Sequence, residues 1–426
     1  MNTLHKMPQN DLRSNISKKW TLRIAGILLL LGWGWTLQAR PSGFVLKDGA
    51  RSVSIPVEIQ NNVILLPVRI NGSFEMNFIL DTGVKTTIFT EPVVLSWLEI
   101  DSLAPVKIRG LGEGNDIDAS LARNIRLSIP GAEGYGVNMV VLPQDLVSYS
   151  AMFGKPVYGI IGYEVFGQFV VEINYLQKYI RLTDPFLFKA PRSPKWTEVP
   201  INVRKGKPYV EASLIDHLGN KVKERWLMDT GASMAISLFH DELPVPDKSI
   251  PAFLGMGLSG NVYGKLGRNP TFSLGDFDFA GIVTGYPTAE SLTMFPDSLD
   301  WYGNIGSEVL SRFRIIFDYH RQRVFLRKNR NFKKTFGYNI SGLEFISTGD
   351  RYEKFIISYI RPGSPAEVAG LHIYDEILAM NGVPVSGQSI EVLYSLLSRR
   401  SGKYVRMKIK RGEKIIRLHF RLNEQI

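Results

Sequence analysis

From about residue 45 to residue 328 the chain is built of short apolar or alternating runs set between Gly, Asn and Asp. Val63-Ile64-Leu65-Leu66-Pro67-Val68-Arg69-Ile70, Asn124-Ile125-Arg126-Leu127-Ser128-Ile129 and Arg323-Val324-Phe325-Leu326 have the length and spacing of strands rather than helices. Helices are expected to be short and few. The pattern predicts them over Pro92 to Glu99 and after two Ile-Gly pairs, where Glu164 and Glu308 fall in a first helical turn. Near the C-terminus, Ile390, Leu393, Tyr394 and Leu397 recur at i, i+3, i+4 and i+7, which predicts an amphipathic helix.

The pattern repeats. Phe78-Ile79-Leu80-Asp81-Thr82-Gly83 returns as Trp226-Leu227-Met228-Asp229-Thr230-Gly231, and Gly110-Leu111-Gly112-Glu113-Gly114-Asn115 as Gly255-Met256-Gly257-Leu258-Ser259-Gly260-Asn261. Arg123-Asn124 returns as Arg268-Asn269, and Tyr158-Gly159-Ile160-Ile161-Gly162 as Tyr302-Gly303-Asn304-Ile305-Gly306. Four landmarks in one order, at nearly constant spacing, make this a duplicated unit. The expected organisation is an N-terminal segment 1–40, lobes at 41–190 and 195–330 joined by a Pro-rich stretch, and a further module at 336–426.

Composition changes this picture in three ways. The chain has no cysteine, so neither disulfides nor a thiol nucleophile enter. The net charge of +11 resides at the ends: residues 1–40 carry +5 and residues 398–426 carry +8, which leaves the middle at −2. A nucleic-acid-binding body is not expected, and the basic tail reads as a solvated face. Finally, Lys6, Arg13, Lys18, Lys19 and Arg23 precede the uncharged, Leu-rich stretch Ile24 to Ala39. At about 1.5 Å per residue that stretch reaches roughly 24 Å, short of a hydrocarbon core of about 30 Å. It reads as an export signal ending near Ala39, and because Leu37 is not the small residue a cleavage site prefers, an uncleaved membrane anchor stays open. In both cases the rest of the chain is expected outside the cytoplasm, periplasmic or anchored there.

The candidate chemistry lies in the two Asp-Thr-Gly triplets. Each follows an apolar strand able to carry its carboxylate inward, and two related units can bring Asp81 and Asp229 to a common pseudo-twofold axis. Two carboxyls at one axis share a proton and can hold a water between them, one taking the water's proton while the other donates to a peptide carbonyl. Gly83 and Gly231 let backbone N–H groups approach the carboxylates. The hydroxyls of Thr82 and Thr230 can bond across the axis and fix the pair.

The paired triplets, with Ile160-Ile161-Gly162 and Asn304-Ile305-Gly306 after them, resemble the pepsin and retropepsin clan of aspartic proteases. The resemblance implies a mainly β, bilobal, pseudo-twofold fold with a peptide-binding cleft, catalytic roles for Asp81 and Asp229, a supporting grip from Thr82 and Thr230, and polypeptide substrates with no cofactor or metal. It also implies that Gly110, Leu111 and Gly112, and Gly255, Met256 and Gly257, belong to flap hairpins that close on substrate. The chain departs from the family pattern at Val84, at Asn304 and in lacking a flap tyrosine between Gly110 and Asn115. Gly255-x-Gly257-x-x-Gly260 matches a dinucleotide-binding fingerprint, but no helix or βαβ pattern follows it.

Residues Gly363-Ser364-Pro365-Ala366-Glu367-Val368-Ala369-Gly370-Leu371 and Asp375 to Val385 resemble bacterial PDZ domains, a β-sandwich or partial barrel with two helices. That resemblance places Gly342, Leu343, Glu344 and Phe345 at the carboxylate-binding loop and implies capture of peptide C-termini beside the predicted 390–397 helix. An aspartic endopeptidase with a PDZ module is therefore the expected function. A non-catalytic peptide-binding protein, in which Val84 marks a degenerate cleft, is the second reading.

Overall fold

A computed structural model describes residues 43–100, 102–143, 148–240, 244–292, 301–398 and 400–426. The segment 1–40, read above as an export signal or anchor, lies outside the described residues. Within them the protein is mostly β, and no helix is long and apolar enough to cross a membrane.

Among the described residues the strands form four sheets. The first repeat folds into a nine-stranded sheet curled on itself, with Val63–Ile70, Met76–Leu80 and Gly159–Ile161 as consecutive neighbours at its centre. The second builds an eight-stranded counterpart in which Lys207–Ile215, Lys221–Met228 and Gly303–Ile305 take the same places. A six-stranded sheet joins the two. Ser52–Pro56, Val170–Asn174 and Tyr179–Thr183 come from the first copy, Thr197–Pro200, Phe313–Asp318 and Arg323–Lys328 from the second, and the central antiparallel pair sets Ile173 against Ile315. Val170–Asn174, Tyr179–Thr183, Phe313–Asp318 and Arg323–Lys328 are the apolar strands that follow the two Ile-Gly elements in sequence, and their side chains merge both copies into one core.

The short helices fall where the pattern placed them, at Tyr163–Phe166 and Ser307–Leu310, with Glu164 and Glu308 in their first turns. Pro92–Trp97 forms a 3-10 helix instead of an α-helix. The stretch Arg327 to Lys334 is no loose tether. Phe332 packs among Phe277, Phe279 and Phe313, and the buried Arg312 guanidinium donates to the Phe332 and Lys334 carbonyls.

The C-terminal part is a six-stranded sheet with its own core, closed by helices Pro365–Val368 and Ile390–Leu397. Ile390, Leu393 and Leu397 face that core, as their periodicity requires. In strand Tyr404–Arg411 burial alternates, so Lys410 and Arg406 face solvent while Val405, Met407 and Ile409 face inward. This accounts for the basic tail as a solvated sheet face.

Candidate active site

Asp81 follows strand Met76–Leu80 and Asp229 follows Lys221–Met228. In each lobe the Asp N–H donates to the carbonyl of the isoleucine ending the neighbouring parallel strand, Ile161 or Ile305, at 2.9 Å. The two turns then lock together. Thr82 N–H donates to Thr230 Oγ1 and Thr230 N–H to Thr82 Oγ1, both at 3.0 Å. Each hydroxyl passes its proton back across the axis, Thr82 to the Met228 carbonyl at 2.6 Å and Thr230 to the Leu80 carbonyl at 2.9 Å. Both threonines are buried, so four polar groups are satisfied only while the lobes stay in register.

The glycines of the triplets are there for room. Neither has a positive φ, but a Cβ on Gly231 would lie 2.4 Å from Asp81 Cγ, and one on Gly83 would lie 3.0 Å from Asp81 Oδ1. Gly83 N–H donates to Asp81 Oδ1 at 2.6 Å and Gly231 N–H to Asp229 Oδ1 at 3.0 Å.

The two carboxyls are half-buried at the floor of the cleft and hydrogen-bonded to each other. Burial raises both above the ordinary carboxylate range, and the charge of Asp229 pushes Asp81 up further. Their surroundings differ. Asp81 has the Gly83 N–H, whereas Asp229 also accepts from Ala232 N–H at 3.1 Å and from Asn304 Nδ2 at 2.6 Å. Donors favour the charged form, so Asp229 is the better anion and the shared proton rests on Asp81. Lys207, near enough for its charge to act on both, holds both down. The buried Tyr149, Tyr175 and Tyr319 hydroxyls are pushed up by burial and by the dyad's charge, and stay neutral.

Above the dyad lies a cleft of about 340 Å³. Gly110 and Leu111, on the turn between strands Leu103–Ile108 and Ile117–Ile129, and Gly255, Met256 and Gly257, at the end of strand Ile250–Gly257 where it pairs with Gly260–Leu274, line it. Both repeats thus supply a hairpin, and the tips meet: Ser259 N–H donates to the Leu111 carbonyl, Gly110 N–H to Ser259 Oγ and Gly114 N–H to the Ser259 carbonyl. Gly112 stands at φ +127° with its Cβ position 2.6 Å from the Gly260 carbonyl, and its N–H reaches the Ser291 carbonyl. Gly257 is equally confined, since a Cβ there would lie 1.9 Å from the Leu111 carbonyl oxygen, so a side chain would part the tips.

The proposed carboxylate loop is placed differently from an open binding site. Leu343 N–H donates to Ser341 Oγ, and Phe345 meets the Tyr394 hydroxyl through both its N–H and its carbonyl. Tyr394 stacks on Phe345 with centroids 4.5 Å apart. Gly342, at φ +77°, is closely backed by Ser364. The Glu344 carboxyl takes hydrogen bonds from Tyr394 and Asn339, and burial pushes its pKa up to about 7. Strand Leu343–Thr348 is an edge strand, and helix Tyr149–Phe153 of the first lobe packs against it, with Ser347 Oγ donating to the Ala151 carbonyl. That helix also supplies Tyr149, Met152 and Phe153 to the cleft.

Sequence reasoning noted Asn304 only as a departure and missed its bond to Asp229. It also missed Lys207 and the Ser259 bridge between the flap tips. Lys207 lies in the strand that corresponds to Val63–Ile70, so aligning the repeats one strand earlier exposes it. Among the described residues, no cluster of His, Asp and Glu is arranged to hold a metal ion.

Comparison with known proteins finds matches in two places. Residues 66–165 match the family model described as aspartyl protease, and residues 356–411 match that of the PDZ domain. No curated protein matches the chain. A solved structure titled photosystem II D1 C-terminal processing protease is similar at 25% identity over 19% of this chain and 22% of its own, with a TM-score of 0.18. The chain thus contains an aspartyl protease domain, within which Asp81 falls, and a C-terminal PDZ domain.

Proposed function

We propose that the protein is an aspartic endopeptidase, exported from the cytoplasm, whose dyad is Asp81 and Asp229. The observation that carries this reading is the asymmetric pair of half-buried, mutually hydrogen-bonded carboxyls under two flap hairpins. Asp229, held as the anion by Gly231, Ala232 and Asn304, takes a proton from a water lying between the carboxyls. The water oxygen attacks the peptide carbonyl while Asp81 donates its proton to the carbonyl oxygen, giving a neutral gem-diol. Collapse returns the hydroxyl proton to Asp81, breaks the C–N bond and sends the proton on Asp229 to the leaving amine. Both carboxyls regain their starting states.

Protease and PDZ domains together imply peptide or protein partners. In this reading the PDZ domain takes an extended peptide along edge strand Leu343–Thr348, and entry displaces both the Tyr394 hydroxyl from Phe345 and helix Tyr149–Phe153 from the strand. The N-terminal segment delivers the chain across the membrane and either anchors it or is removed.

The experiment is digestion of a random peptide library by the purified protein, with products identified by mass spectrometry. Internal cuts that vanish in a folded Asp81→Asn variant are expected. No cuts, or cuts that persist in that variant, would refute the assignment.

A further inference from the structure

The strand registers make the cleft walls of the two lobes directly comparable. Ile160 lies between Ile79 and Ile88 on its neighbouring strands, and Asn304 lies between Leu227 and Ser237 in the same way. Leu65 pairs with Ile79 and Tyr209 with Leu227, so Val63 and Lys207, each two residues earlier, are also equivalent. The first lobe therefore presents Val63, Ile79 and Ile160 to the cleft with Ile88 packed behind them, one continuous apolar surface. The second lobe presents Lys207, Leu227, Ser237 and Asn304.

Three of four apolar positions have become polar, and one carries a charge. Among the described residues no hydrogen bond or ion pair engages the Lys207 ammonium, although its charge reaches Asp81 and Asp229. Arg109, the other cation of the cleft, is paired with Asp116 at 3.6 Å. Asn304 spends its Nδ2 on Asp229. An unpaired ammonium in a partly closed, apolar-walled cleft attracts a carboxylate more strongly than it would in water. A site built around such a charge discriminates against the neutral isostere.

We propose that Lys207 is a specificity-determining residue: the enzyme cuts between an apolar side chain, seated on the first-lobe wall, and an acidic side chain, seated against Lys207 and Ser237. This rests on the peptidase reading above and adds the substrate class.

The test uses the full-length protein and peptides that differ only by Glu or Gln, placed on either side of one apolar residue at the cut. At one of the two placements the Glu peptide should be favoured in kcat/KM by about tenfold, the equivalent of about 1.4 kcal/mol. In Lys207→Met the ratio should fall to near one, and Lys207→Glu should prefer Lys over Gln at that placement. If Lys207→Met does not fold, Lys207→Gln is read in its place. A wild-type ratio near one at both placements, or a ratio that survives removal of the charge, overturns the proposal while leaving the peptidase reading intact. Binding of the same peptides to Asp81→Asn, followed by fluorescence anisotropy, should carry the same preference without hydrolysis. If binding shows the preference but no peptide is cut by the wild type, the peptidase reading falls alone.

Discussion

Asp81 and Asp229 stand on equivalent strands, receive the same backbone bond to their N–H groups and are clasped by the same exchange of threonine bonds. Yet Asp229 accepts from two backbone N–H groups and a side-chain amide, while Asp81 accepts from one backbone N–H. Positions that fix the backbone of the duplicated unit are matched. Positions whose side chains reach the cleft are not: Val84 corresponds to Ala232, Ile160 to Asn304 and Val63 to Lys207. Duplication supplies two carboxylates at one axis, and divergence of their neighbours separates the acid from the base.

The comparison can be broken at its centre. Asp81→Asn or Asp229→Asn should each lower kcat by about 10²–10⁴ or more, since one carboxyl cannot both hold the water and donate a proton. Gly231→Ala should approach that loss because its methyl group would lie 2.4 Å from Asp81 Cγ, whereas Gly83→Ala should do less harm, since its methyl comes no closer than 3.0 Å to Asp81 and 3.4 Å to Asp229. Steady-state kinetics on one peptide ranks all four, and a reversed order for the glycines would deny the close approach described.

The threonine clasp should be symmetric where the carboxyls are not. Thr82→Val and Thr230→Val should each cost about 1–3 kcal/mol by leaving a buried N–H and a carbonyl unpaired. The double variant should cost less than their sum, because both remove one network. Urea unfolding midpoints would measure this. Additive losses would mean that the two bonds are independent.

The asymmetry is sharpened by Asn304→Ile, which gives the second lobe the residue of the first. Removing a donor from the anionic carboxyl should move the acid limb of the kcat/KM profile upward by about one pH unit. An unchanged limb would show that the amide does not favour the Asp229 anion.

The smallest effect lies in the PDZ domain. Glu344 has a folded pKa of about 7 against 4.5 for the free group, so the folded state binds its proton more tightly. Stability from this group is unaffected below about pH 4.5 and declines as pH rises toward 7, with a slope limited to about 1.4 kcal/mol per pH unit. Glu344→Gln should flatten that part of a plot of Tm against pH. A slope that does not change would assign the dependence to other groups, of which Glu308, also near 7, is the first to examine.

Much of the scaffold was legible from the sequence because repetition amplifies weak signals. An Asp-Thr-Gly triplet alone is only a turn. Four paired landmarks imply two related β units, and the Ile390–Leu397 stripe marks its helix by periodicity. What escaped were contacts between chemically ordinary residues from distant segments. Asn304 is 75 positions from Asp229, and Ser259 is 149 from Gly110. Tyr394, noted as part of an apolar stripe, turns its hydroxyl to the strand edge that a ligand would use. Pattern locates a residue on an element, but it does not say which distant group its polar end will meet.

The most direct test of the account is the pH dependence of kcat/KM for one peptide, from about pH 2 to about pH 8, in the wild type, Asp81→Asn and Asp229→Asn proteins with folding verified in each. The wild type should give a bell, reporting one ionised and one protonated carboxyl, with its summit in the mildly acidic to near-neutral range because burial raises both groups. Both variants should be inactive throughout. A variant retaining a normal bell, or a wild-type summit near pH 2 to 3, below even the range of ordinary exposed carboxylates, would contradict a dyad whose carboxyls are both raised by burial and share one proton.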